Sequence, residues 1–439
     1  MFLNALTLDD KLILEYDLCV IGSGPAGITI ANHFNGQNIK VCLLESGGFE
    51  YDEKNQDLYK GFSTGIEYDL YESRLRSFGG TSGHWGGQTS TLDKMDFQKR
   101  SWIKNSGWPI QFSELTRFYS KANKILNLKD VNYDPDYWVD NKKYYLWKFK
   151  NNDINTKMFH LDSPPTHFGE KYRETLKKSD NIHIYLYANL TDIDIDDDFR
   201  RINYVKIATF AKKIFKVKAK VFVLACGGIE NARLLLNSNK KISAGIGNQN
   251  DLVGRFFMEH PHLYTAGSIF VQGNSANSNL YHYWAAKGNA KISGFLQLSE
   301  KLQKKNQLTN LTFIIRKNDI FSQLDDLGKN LFNISQKLNN IQSNKYRISP
   351  FTTMSEQVPN PDSRITLSED VDNFGQRRIN LNWQIMEIDK TSIEKSLSIL
   401  AINLSVSRLG RLRTFIRDLK TLTGDKRVGW YRARHHMGT

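Results

Sequence analysis

Three glycines and one acidic residue stand at a spacing that suits the binding of a dinucleotide. Gly22, Gly24 and Gly27 form a G-x-G-x-x-G motif, and Glu45 follows Gly27 by 18 residues. The first glycine permits a tight turn, the second lets the backbone approach a pyrophosphate, and the third allows close packing of helix on strand. Because a carboxylate at this distance accepts hydrogen bonds from ribose hydroxyls, we predict an adenine dinucleotide site, without distinguishing FAD from NAD. Its predicted contacts are Gly22, Gly24, Pro25, Ala26, Gly27, Glu45 and Ser46.

Two histidines that flank a proline invite a metal-binding interpretation. His260 and His262 stand on either side of Pro261. Structural zinc sites use four protein ligands and catalytic ones three, and no further histidine, cysteine or carboxylate stands at ligand spacing from this pair. We therefore predict no metal site, and the sequence also lacks P-loop, nucleophile-elbow and zinc signatures.

The glycine motif needs a strand before it and a helix after it, and the sequence provides both. Residues 16–22 are a short apolar run rich in strand-forming residues, and residues 25–34 have helical composition with Pro25 near the first turn. Residues 39–45 form a second apolar run. A strand, turn, helix and strand in this order predict a βαβ unit with parallel strands and a right-handed crossover.

Two further regions predict the domain organisation. Residues 181–237 combine a strand, a hairpin, another strand and a helix, which we assign to the nucleotide-binding domain. Farther on, an Asp/Asn/Gly turn joins two extended runs within residues 365–385. We predict an α/β protein with a doubly wound, Rossmann-like domain and an α+β substrate domain that contains an antiparallel or mixed sheet. The predicted ranges are 1–262 for the first domain, with a second block at 181–262 and a return at 431–439, and 263–430 for the second.

Two helices are predicted in the second domain. Thr391 followed by Glu394 has the spacing of a capping box, which predicts a helix N-terminus there. Another helix would present one apolar stripe, which we interpret as core-facing, with a lid or a membrane contact as the alternative. The stripe consists of Leu324, Leu327, Leu331, Ile334, Leu338 and Ile341.

The composition predicts a folded protein located in the cytoplasm. Hydrophobic residues make up 40% of the chain, which is near the ordinary globular mix. No apolar run reaches the ~18 residues of a membrane span, and the first residues do not resemble a signal peptide. Cys19, Cys42 and Cys226 each lie in an apolar segment, which predicts buried free thiols.

The chain carries a formal net charge of +14. Lysines are spread along the whole sequence without a long basic block, although the stretch from Arg408 to Arg434 is basic. We interpret the charge mainly as a solvated surface and expect no nucleic-acid partner. A weak contact with a membrane or another anionic surface remains the alternative.

Several separate motifs resemble those of the glucose-methanol-choline (GMC) oxidoreductases, a family of FAD enzymes that mostly oxidise alcohols. They cover most of the chain in the family's order. The resemblance implies FAD as the cofactor and a small-molecule alcohol or sugar as the substrate. The motifs are GSGPAG with LLESGG, RLRSFGGTSGHWGG at 74–87, SGWPIQFSELTRFYSKA at 106–122, VFVLACGGIENARLLL at 221–236, LVGRFFMEHP at 252–261, EQVPNPDSRITL at 356–367 and the final HHMGT.

The resemblance identifies residues 74–90 as a flavin loop. Its Gly-Gly-x-Ser segment begins at Gly79, and in the family the main-chain amides of this segment lie near the flavin ring and pyrophosphate. His84 stands where family members with covalent FAD carry the linking histidine, so a covalent link is one hypothesis and an ordinary loop residue is the other. Asn189 and Leu190 resemble the strand end that contacts adenine. The implied cofactor contacts are Gly79, Gly80, Thr81, Ser82, His84, Trp85, Gly86, Asn189 and Leu190.

The resemblance also indicates a proton acceptor. Oxidation of an alcohol by hydride transfer needs a base for the hydroxyl proton and an electrophile for the hydride, which is flavin N5. His435 matches the family histidine four residues before the threonine of H-x-x-G-T, and His436 ranks second. The alternative is a pair of surface histidines near a frayed terminus. Asn231 and Arg233 resemble helix-start and surface residues and are assigned no chemistry.

The sequence departs from the family at its end. Family members continue for several dozen residues past the position of Thr439, with a second active-site His or Asn, a strand that covers the flavin and a closing helix. We therefore expect weak or absent turnover from these 439 residues alone, or completion by a second chain. An FAD-containing lyase on the same scaffold and a flavin-binding remnant without catalysis are the alternative functions. A nicotinamide-dependent dehydrogenase is a distant further alternative. The sequence identifies neither the substrate nor the electron acceptor.

Overall fold

The described part of the chain contains three β-sheets. The computed structural model describes residues 1–140, 142–272, 278–281, 285–316, 346–414, 431–432 and 434–439. Within these ranges the sheets have seven, eight and three strands. The apolar stripe predicted from Leu324 to Ile341 lies outside the described residues.

The seven-stranded sheet contains the predicted βαβ unit. The strand order is β1 (Phe2–Asn4), β6 (Ile182–Leu186), β3 (Val41–Leu44), β2 (Ile13–Ile21), β9 (Ile214–Leu224), β8 (Ile202–Ala208) and β7 (Asn189–Ile195). The first five strands in this order pair in parallel, whereas β8 pairs antiparallel with both β9 and β7. Helix α1 (Pro25–His33) joins β2 to β3, as the glycine motif predicts.

Helices cover both faces of this sheet. On one face, α1 and α4 (Phe168–Lys177) pack against Val20 and Leu43. On the other face, α5 (Gly228–Asn237) packs through Leu234 against the opposite side of the same strands. All four residues of β3 are buried, as expected for a parallel strand covered on both sides. The predicted doubly wound α/β fold is therefore confirmed.

Strand β9 is longer than the sequence indicated. The runs IFKVKAK and VFVLACGG were predicted as two strands, whereas residues 214–224 form one strand of 11 residues. Its first part pairs antiparallel with β8, and nearly its whole length pairs parallel with β2. One strand therefore joins the parallel part of the sheet to the antiparallel hairpin.

The thiols of Cys19 and Cys42 are fully buried, and all three cysteines are free. Cys226 is only partly buried and its thiol donates a hydrogen bond to the carbonyl of Ile21 at 3.1 Å. The prediction of free thiols is confirmed, but the burial predicted for Cys226 is incomplete because this residue borders a cleft.

An eight-stranded antiparallel sheet forms the second large unit. Helix α7 (Glu387–Val406) packs on it through Ile393, Leu397, Leu400 and Leu404. The sheet has the order β11 (Ala285–Lys287), β12 (Ala290–Leu298), β13 (Leu311–Ile315), β14 (Tyr346–Ser355), β10 (Pro261–Gln272) and β17 (Gly410–Thr414), while β5 (Ile154–Leu161) pairs with β12 and β18 (Tyr431–Arg432) pairs with β10.

A three-stranded sheet contains the hairpin predicted around the Asp/Asn/Gly turn. Strands β15 (Arg364–Val371) and β16 (Arg377–Asn382) are antiparallel, and β4 (Phe62–Ser63) pairs parallel with β16. This hairpin packs on α5, whereas β5, from the first half of the sequence, belongs to the antiparallel sheet. The sheets therefore do not divide at residue 262, and the domain boundary there stays a prediction.

The N-terminal cap of helix α7 is Met386, five residues earlier than the predicted cap at Thr391. The amide of Met386 donates to the carboxylate of Asp389 at 2.9 Å, so Asp389 acts as the capping acid. Thr391 lies inside the helix, and the predicted N-terminus there is wrong. Within the described residues, no helix combines the length and apolar character needed to cross a bilayer. The remaining helices are α2 (Glu53–Gln56), α3 (Phe112–Ile125) and α6 (Glu300–Asn306).

Candidate cofactor and active site

A cleft of about 490 Å³ opens where β2, β3 and β9 end. Ligands of open α/β sheets bind outside the carboxyl ends of the strands, and this volume falls within the usual range of ligand sites. Nine of the residues predicted from the sequence to contact the cofactor line it. These are Gly22, Gly24, Pro25, Ala26, Glu45, Ser46, Gly80, Thr81 and Leu190.

The three glycines of the motif have different surroundings. Gly22 has a φ of +100°, and a Cβ there would lie 2.6 Å from the carbonyl oxygen of Ala225. A Cβ on Gly27 would lie 1.9 Å from the carbonyl oxygen of Gly22, so this glycine is needed for packing. A Cβ on Gly24 would meet nothing within 4 Å, because Gly24 faces the open cleft. The fold requires Gly22 and Gly27, whereas the space at Gly24 suits a ligand.

The carboxylate of Glu45 is buried at the end of β3 and organises the glycine turn. Ser23 donates to it through its hydroxyl at 2.6 Å and through its amide at 3.1 Å. The amide of Gly47 donates to the other carboxylate oxygen at 2.8 Å. Glu45 therefore fixes the glycine turn and borders the cleft itself, and its contact with a ribose stays a prediction.

The predicted flavin loop lies against the glycine turn. The amide of Gly79 donates to the carbonyl of Ser23 at 3.0 Å. Gly79 has a φ of +99°, and a Cβ on Gly80 would lie 3.0 Å from the Cα of Gly24. Two segments that are far apart in the sequence thus form adjacent walls of one cleft.

Several other residues of this loop do not border the cleft. The hydroxyl of Ser82 donates to Gly79 and accepts from the amide of Phe168, and the indole of Trp85 donates to the carbonyl of Thr166 at 3.0 Å. Ser82 and Trp85 therefore anchor the loop to the segment at the start of α4. His84 is exposed, and partial burial together with Arg434 lowers its pKa. Gly86 is exposed as well. Direct cofactor contact of these residues stays a prediction.

The end of the cleft assigned to adenine is formed by the chain around β7. The amide of Ala188 donates to the carbonyl of Glu45 at 2.8 Å, which ties this segment to the end of β3. Ala188 and Leu190 line the cleft, whereas Asn189 does not. The side-chain oxygen of Asn189 is buried and accepts no hydrogen bond from the described residues, so it has capacity for a further donor.

A buried network of charges that the sequence did not indicate lies beside the cleft. Glu230, in the first turn of α5, pairs with Arg76 at 2.6 Å and with Arg233 at 2.9 Å. Arg233 also pairs with Asp372. The guanidinium groups of Arg74 and Arg76 lie over the ring of Tyr59, at 3.9 and 4.2 Å from its centroid. Arg76 and Glu230 line the cleft and are functional candidates.

The surface position expected for Arg233 is wrong. Its side chain is 3% exposed, because Glu230 and Asp372 both bind it. Burial alone would raise the pKa of Glu230, but Arg76, Arg233 and Arg74 lower it to about 2. Asn231 stands at the start of α5, as expected, and its side-chain oxygen accepts from the amide of Cys226 at 3.0 Å.

Of the two candidate histidines, His436 borders the cleft, whereas His435 lies beside two other histidines. His436 lines the cleft, and its Nδ1 lies 2.9 Å from the hydroxyl of Tyr68. His435 is outside the cleft lining, and its ring centroid lies 5.5 Å from that of His260 and 6.4 Å from that of His262. Desolvation lowers the pKa of His435, and burial together with Arg74 and His435 lowers the pKa of His436 to about 3. Both imidazoles are therefore neutral at neutral pH.

The backbone around His435 is held by a buried carboxylate. Glu259 is 2% exposed and accepts from the amide of His435 at 2.9 and 3.0 Å and from the amide of His260 at 2.8 Å. Burial raises the pKa of Glu259 to about 7. Met258 and Met437 exchange two backbone hydrogen bonds of 2.9 Å. These contacts dock the segment 434–439 beside the cleft.

Among the described residues, no group of three or more histidines, cysteines and carboxylates is arranged to hold a metal ion. His260 and His262 lie beside His435 instead. A parallel sheet, a glycine turn at its carboxyl edge and an acid at the end of the next strand are features shared by α/β proteins that bind dinucleotides.

Comparison with known proteins supports this assignment. No family model matches the chain. It is 23% identical over 313 residues to 2-methyl-1,2-propanediol dehydrogenase of Mycolicibacterium austroafricanum, covering 56% of this chain and 55% of that protein. It is 34% identical over 109 residues to the fructose dehydrogenase large subunit of Gluconobacter japonicus, covering 25% of this chain and 17% of that subunit. The chain thus matches about half the length of the first relative and less of the second.

Solved structures of formate oxidase have the same fold. One aligns with 98% of this chain and 89% of its own, with a TM-score of 0.52 and 15% identity. A variant of the Aspergillus oryzae enzyme, studied for FAD modification, aligns over the same shares with a TM-score of 0.54 and 15% identity. These findings confirm the predicted resemblance to the GMC oxidoreductases and the predicted fold class, and the FAD modification studied in the Aspergillus oryzae enzyme agrees with FAD as the expected cofactor. The chain has the fold of the GMC oxidoreductases.

Proposed function

We propose that this protein is an FAD-dependent oxidoreductase that acts on the CH–OH group of a small alcohol or sugar. The observation that carries the proposal is the joint lining of one cleft by the glycine turn, the Gly79–Gly80 loop and His436. FAD, when bound there, supplies the hydride acceptor at flavin N5. The cytoplasmic location belongs to the same proposal, and the electron acceptor is left open.

The residues at the cleft have complementary tasks in this proposal. The amides at the start of α1 face the pyrophosphate, because a helix N-terminus favours an anion. Glu45 and Ser46 accept and donate hydrogen bonds at the ribose. Gly24 leaves the space into which the pyrophosphate approaches.

Proton transfer falls to a neutral histidine in this proposal. A general base must be unprotonated and within hydrogen-bond reach of the substrate hydroxyl. His435 is the first candidate for the general base because of its position in H-x-x-G-T. His436 is the second candidate because it lines the cleft. Tyr68, at 2.9 Å from His436, fixes the ring of that histidine.

The first test is an absorption spectrum of the purified, desalted protein, followed by anaerobic addition of alcohols and sugars. Flavin bands that one donor bleaches support the oxidoreductase. Flavin that stays oxidised with every donor, while a hydroxynitrile is cleaved, would favour a lyase on this scaffold. Protein that takes up no FAD at all contradicts the proposal.

A covalent link between FAD and His84 remains a separate hypothesis, which rests on the match of His84 to the family's linking histidine. Acid precipitation of the yellow protein tests it, because only covalently bound flavin stays in the pellet. The control is His84→Asn, which should release its flavin completely. Complete release from the unmodified protein rules the link out.

A further inference from the structure

A second cleft lies on the other side of strand β7 from the cofactor cleft. Its volume is about 620 Å³. Leu190 borders the cofactor cleft, whereas the next two residues, Thr191 and Asp192, border this one. The register of β7 against β8 shifts between Leu190 and Asp192, as at a β-bulge. The walls come from β7, the turn between β8 and β9, the end of α5 and the turn between β15 and β16.

Positive charge dominates this second cleft. Four lysines line it together with a single carboxylate, that of Asp192, which pairs with Lys240 at 2.5 Å. The amino groups of Lys206, Lys212 and Lys213 form no hydrogen bond or ion pair within the described part of the chain. Several like charges around one concavity raise the local potential, so the cleft favours an anion.

Two phenylalanines close one side of the second cleft. The rings of Phe210 and Phe374 lie 4.8 Å apart and are tilted by 46°. Both are half-buried and both line the cleft. Aromatic rings that remain partly exposed beside cations provide an apolar surface on which a planar ring can stack.

The walls of the second cleft are held in place by buried hydrogen bonds. The carboxylate of Asp372 accepts from the amides of Phe374 at 2.8 Å and Gln376 at 3.1 Å. The side-chain amide of Gln376 donates to the carbonyl of Thr191 at 2.7 Å, which joins the turn to β7. Because these walls are already ordered, a ligand would lose less free energy in organising them.

We propose that this second cleft binds a small ligand that joins several negative charges to a planar ring, as a nucleotide does. Lys206, Lys212 and Lys213 would hold the phosphates as point charges, and the ring would lie against Phe210 and Phe374. Side-chain amides of Asn239 and Asn373 supply donors and acceptors for the polar edge of the ring. This site is separate from the glycine turn and does not depend on the proposed oxidoreductase activity.

The test is a calorimetric titration of FAD-saturated protein with ATP and, separately, with tripolyphosphate at low salt. Saturation with FAD keeps ATP out of the cofactor cleft, so any remaining site lies elsewhere. The FAD content is read from the spectrum before nucleotide is added. Failure to load FAD therefore counts against the proposed function, whereas failure to bind ATP counts against the second cleft.

Two double variants localise the binding. Lys212→Gln with Lys213→Gln should weaken ATP binding by about tenfold or more, because half of the lysines that line the cleft are lost. The matched control, Lys177→Gln with Lys178→Gln, removes an adjacent pair of exposed charges from the end of α4 and should change it by less than about twofold. Equal losses in both variants would mean diffuse attraction to a basic surface and would overturn the proposal.

The proposed stacking of a planar ring is tested by comparing the affinity of the protein for ATP with its affinity for tripolyphosphate. Wild-type protein should bind ATP about tenfold more tightly, because only ATP stacks on the phenylalanines. Phe374→Leu should reduce this preference without changing the melting temperature, and Phe210→Leu serves as the second variant if Phe374→Leu melts early. Equal affinity of wild-type protein for the two ligands, or no binding of ATP at millimolar concentration, would show the proposal to be wrong.

Discussion

The carboxylate of Glu259 lies 2.9 and 3.0 Å from the backbone amide of His435. This contact joins the segment before β10 to the candidate base, and the amide of His260 shares the same carboxylate. The position of the histidine therefore depends on a buried acid whose pKa burial raises to about 7. A positioning role of this kind is testable through stability as well as through activity.

The variant Glu259→Gln should change the pH dependence of stability. A carboxyl whose pKa is higher in the folded state contributes stability that is present at low pH and is lost as pH rises through about 7. The glutamine cannot titrate, so the difference in unfolding free energy between the wild type and the variant should shrink by about 2 kcal/mol from about pH 5 to about pH 8.5. Urea unfolding at both pH values measures it.

A difference that stays constant over this pH range would mean that Glu259 is ionised throughout and would contradict the raised pKa of its carboxyl group. Glu369→Gln is the matched control, because the side chain of Glu369 is 96% exposed in its ion pair with Arg377. Its effect should be within about 0.5 kcal/mol at either pH.

Two substitutions in the glycine motif should affect different properties, one the affinity for FAD and the other the stability of the fold. Gly24→Ala adds a Cβ that meets no protein atom within 4 Å, so the melting temperature of the apoprotein should be unchanged. FAD affinity should fall by about tenfold or more, because the methyl group occupies the space left for the pyrophosphate. Gly27→Ala should instead lower the melting temperature of the apoprotein, since its Cβ would lie 1.9 Å from a carbonyl oxygen.

Quenching of flavin fluorescence measures the affinity in this pair, and a thermal melt of apoprotein measures the stability. Unaltered FAD binding by Gly24→Ala would mean that FAD does not approach this turn, and the assignment of the cleft would then be wrong.

The two histidines can be distinguished by the rate of flavin reduction. Loss of the true general base should slow the reductive step by about 10²-fold to 10⁴-fold, whereas loss of the other histidine should have a much smaller effect. His435→Gln and His436→Gln are the variants, and anaerobic stopped-flow absorption is the measurement. His167→Gln, at the partly exposed start of α4, is the control.

The pH profile of the same step tests the two histidines together. Desolvation lowers the pKa of His435 and of His436, so the base is neutral in either case and the rate should be flat between about pH 6 and pH 8. A rate that rises steeply through this range would indicate a base with an ordinary or raised pKa and would exclude both histidines.

The buried network around Glu230 should respond to acid in the opposite way from Glu259. Arg76, Arg233 and Arg74 lower the pKa of Glu230 to about 2, so its contribution to stability is present above the unfolded pKa and is lost as pH falls towards 2. At neutral pH, Glu230→Gln should cost on the order of 3 kcal/mol, because it leaves buried guanidinium groups without their partner.

Urea unfolding checks this prediction at about pH 7 and about pH 3.5, where the difference between wild type and variant should shrink by about 1 kcal/mol. The control is Glu174→Gln, an exposed acid on α4. A loss of less than about 0.5 kcal/mol at neutral pH would show that the network is not important for stability.

The sequence predicted the parts of the fold and site that rest on local signals. The βαβ unit follows from an apolar run, a glycine turn and a second apolar run within a short stretch, and the β15–β16 hairpin follows from its turn residues. The start of α7 was predicted at Thr391 because its spacing to Glu394 fits a capping box, but Met386 and Asp389 form the capping box five residues earlier. Sequence spacing alone does not distinguish two overlapping caps.

The parts that were missed depend on residues far apart in the sequence. Arg233 was expected at the surface, yet it is buried because Asp372, 139 residues away, and Glu230 neutralise it. The second cleft is built from four separate segments, namely β7, the turn between β8 and β9, the end of α5 and the turn between β15 and β16, and none of them carries a recognisable binding motif. Burial and concavity arise only when the segments meet in the fold.

Strand β9 has a consequence for how the protein opens. Most of its residues pair parallel with β2, and its first part also pairs with β8. Because β9 is one continuous strand that belongs to both the parallel part and the antiparallel hairpin, neither part can separate from the sheet without breaking hydrogen bonds of β9. Amide protons in the centre of β9 should exchange with solvent only through cooperative unfolding of the whole sheet. Slow release of a bound cofactor would then proceed through movement of the loops at the carboxyl edge, while the sheet stays intact.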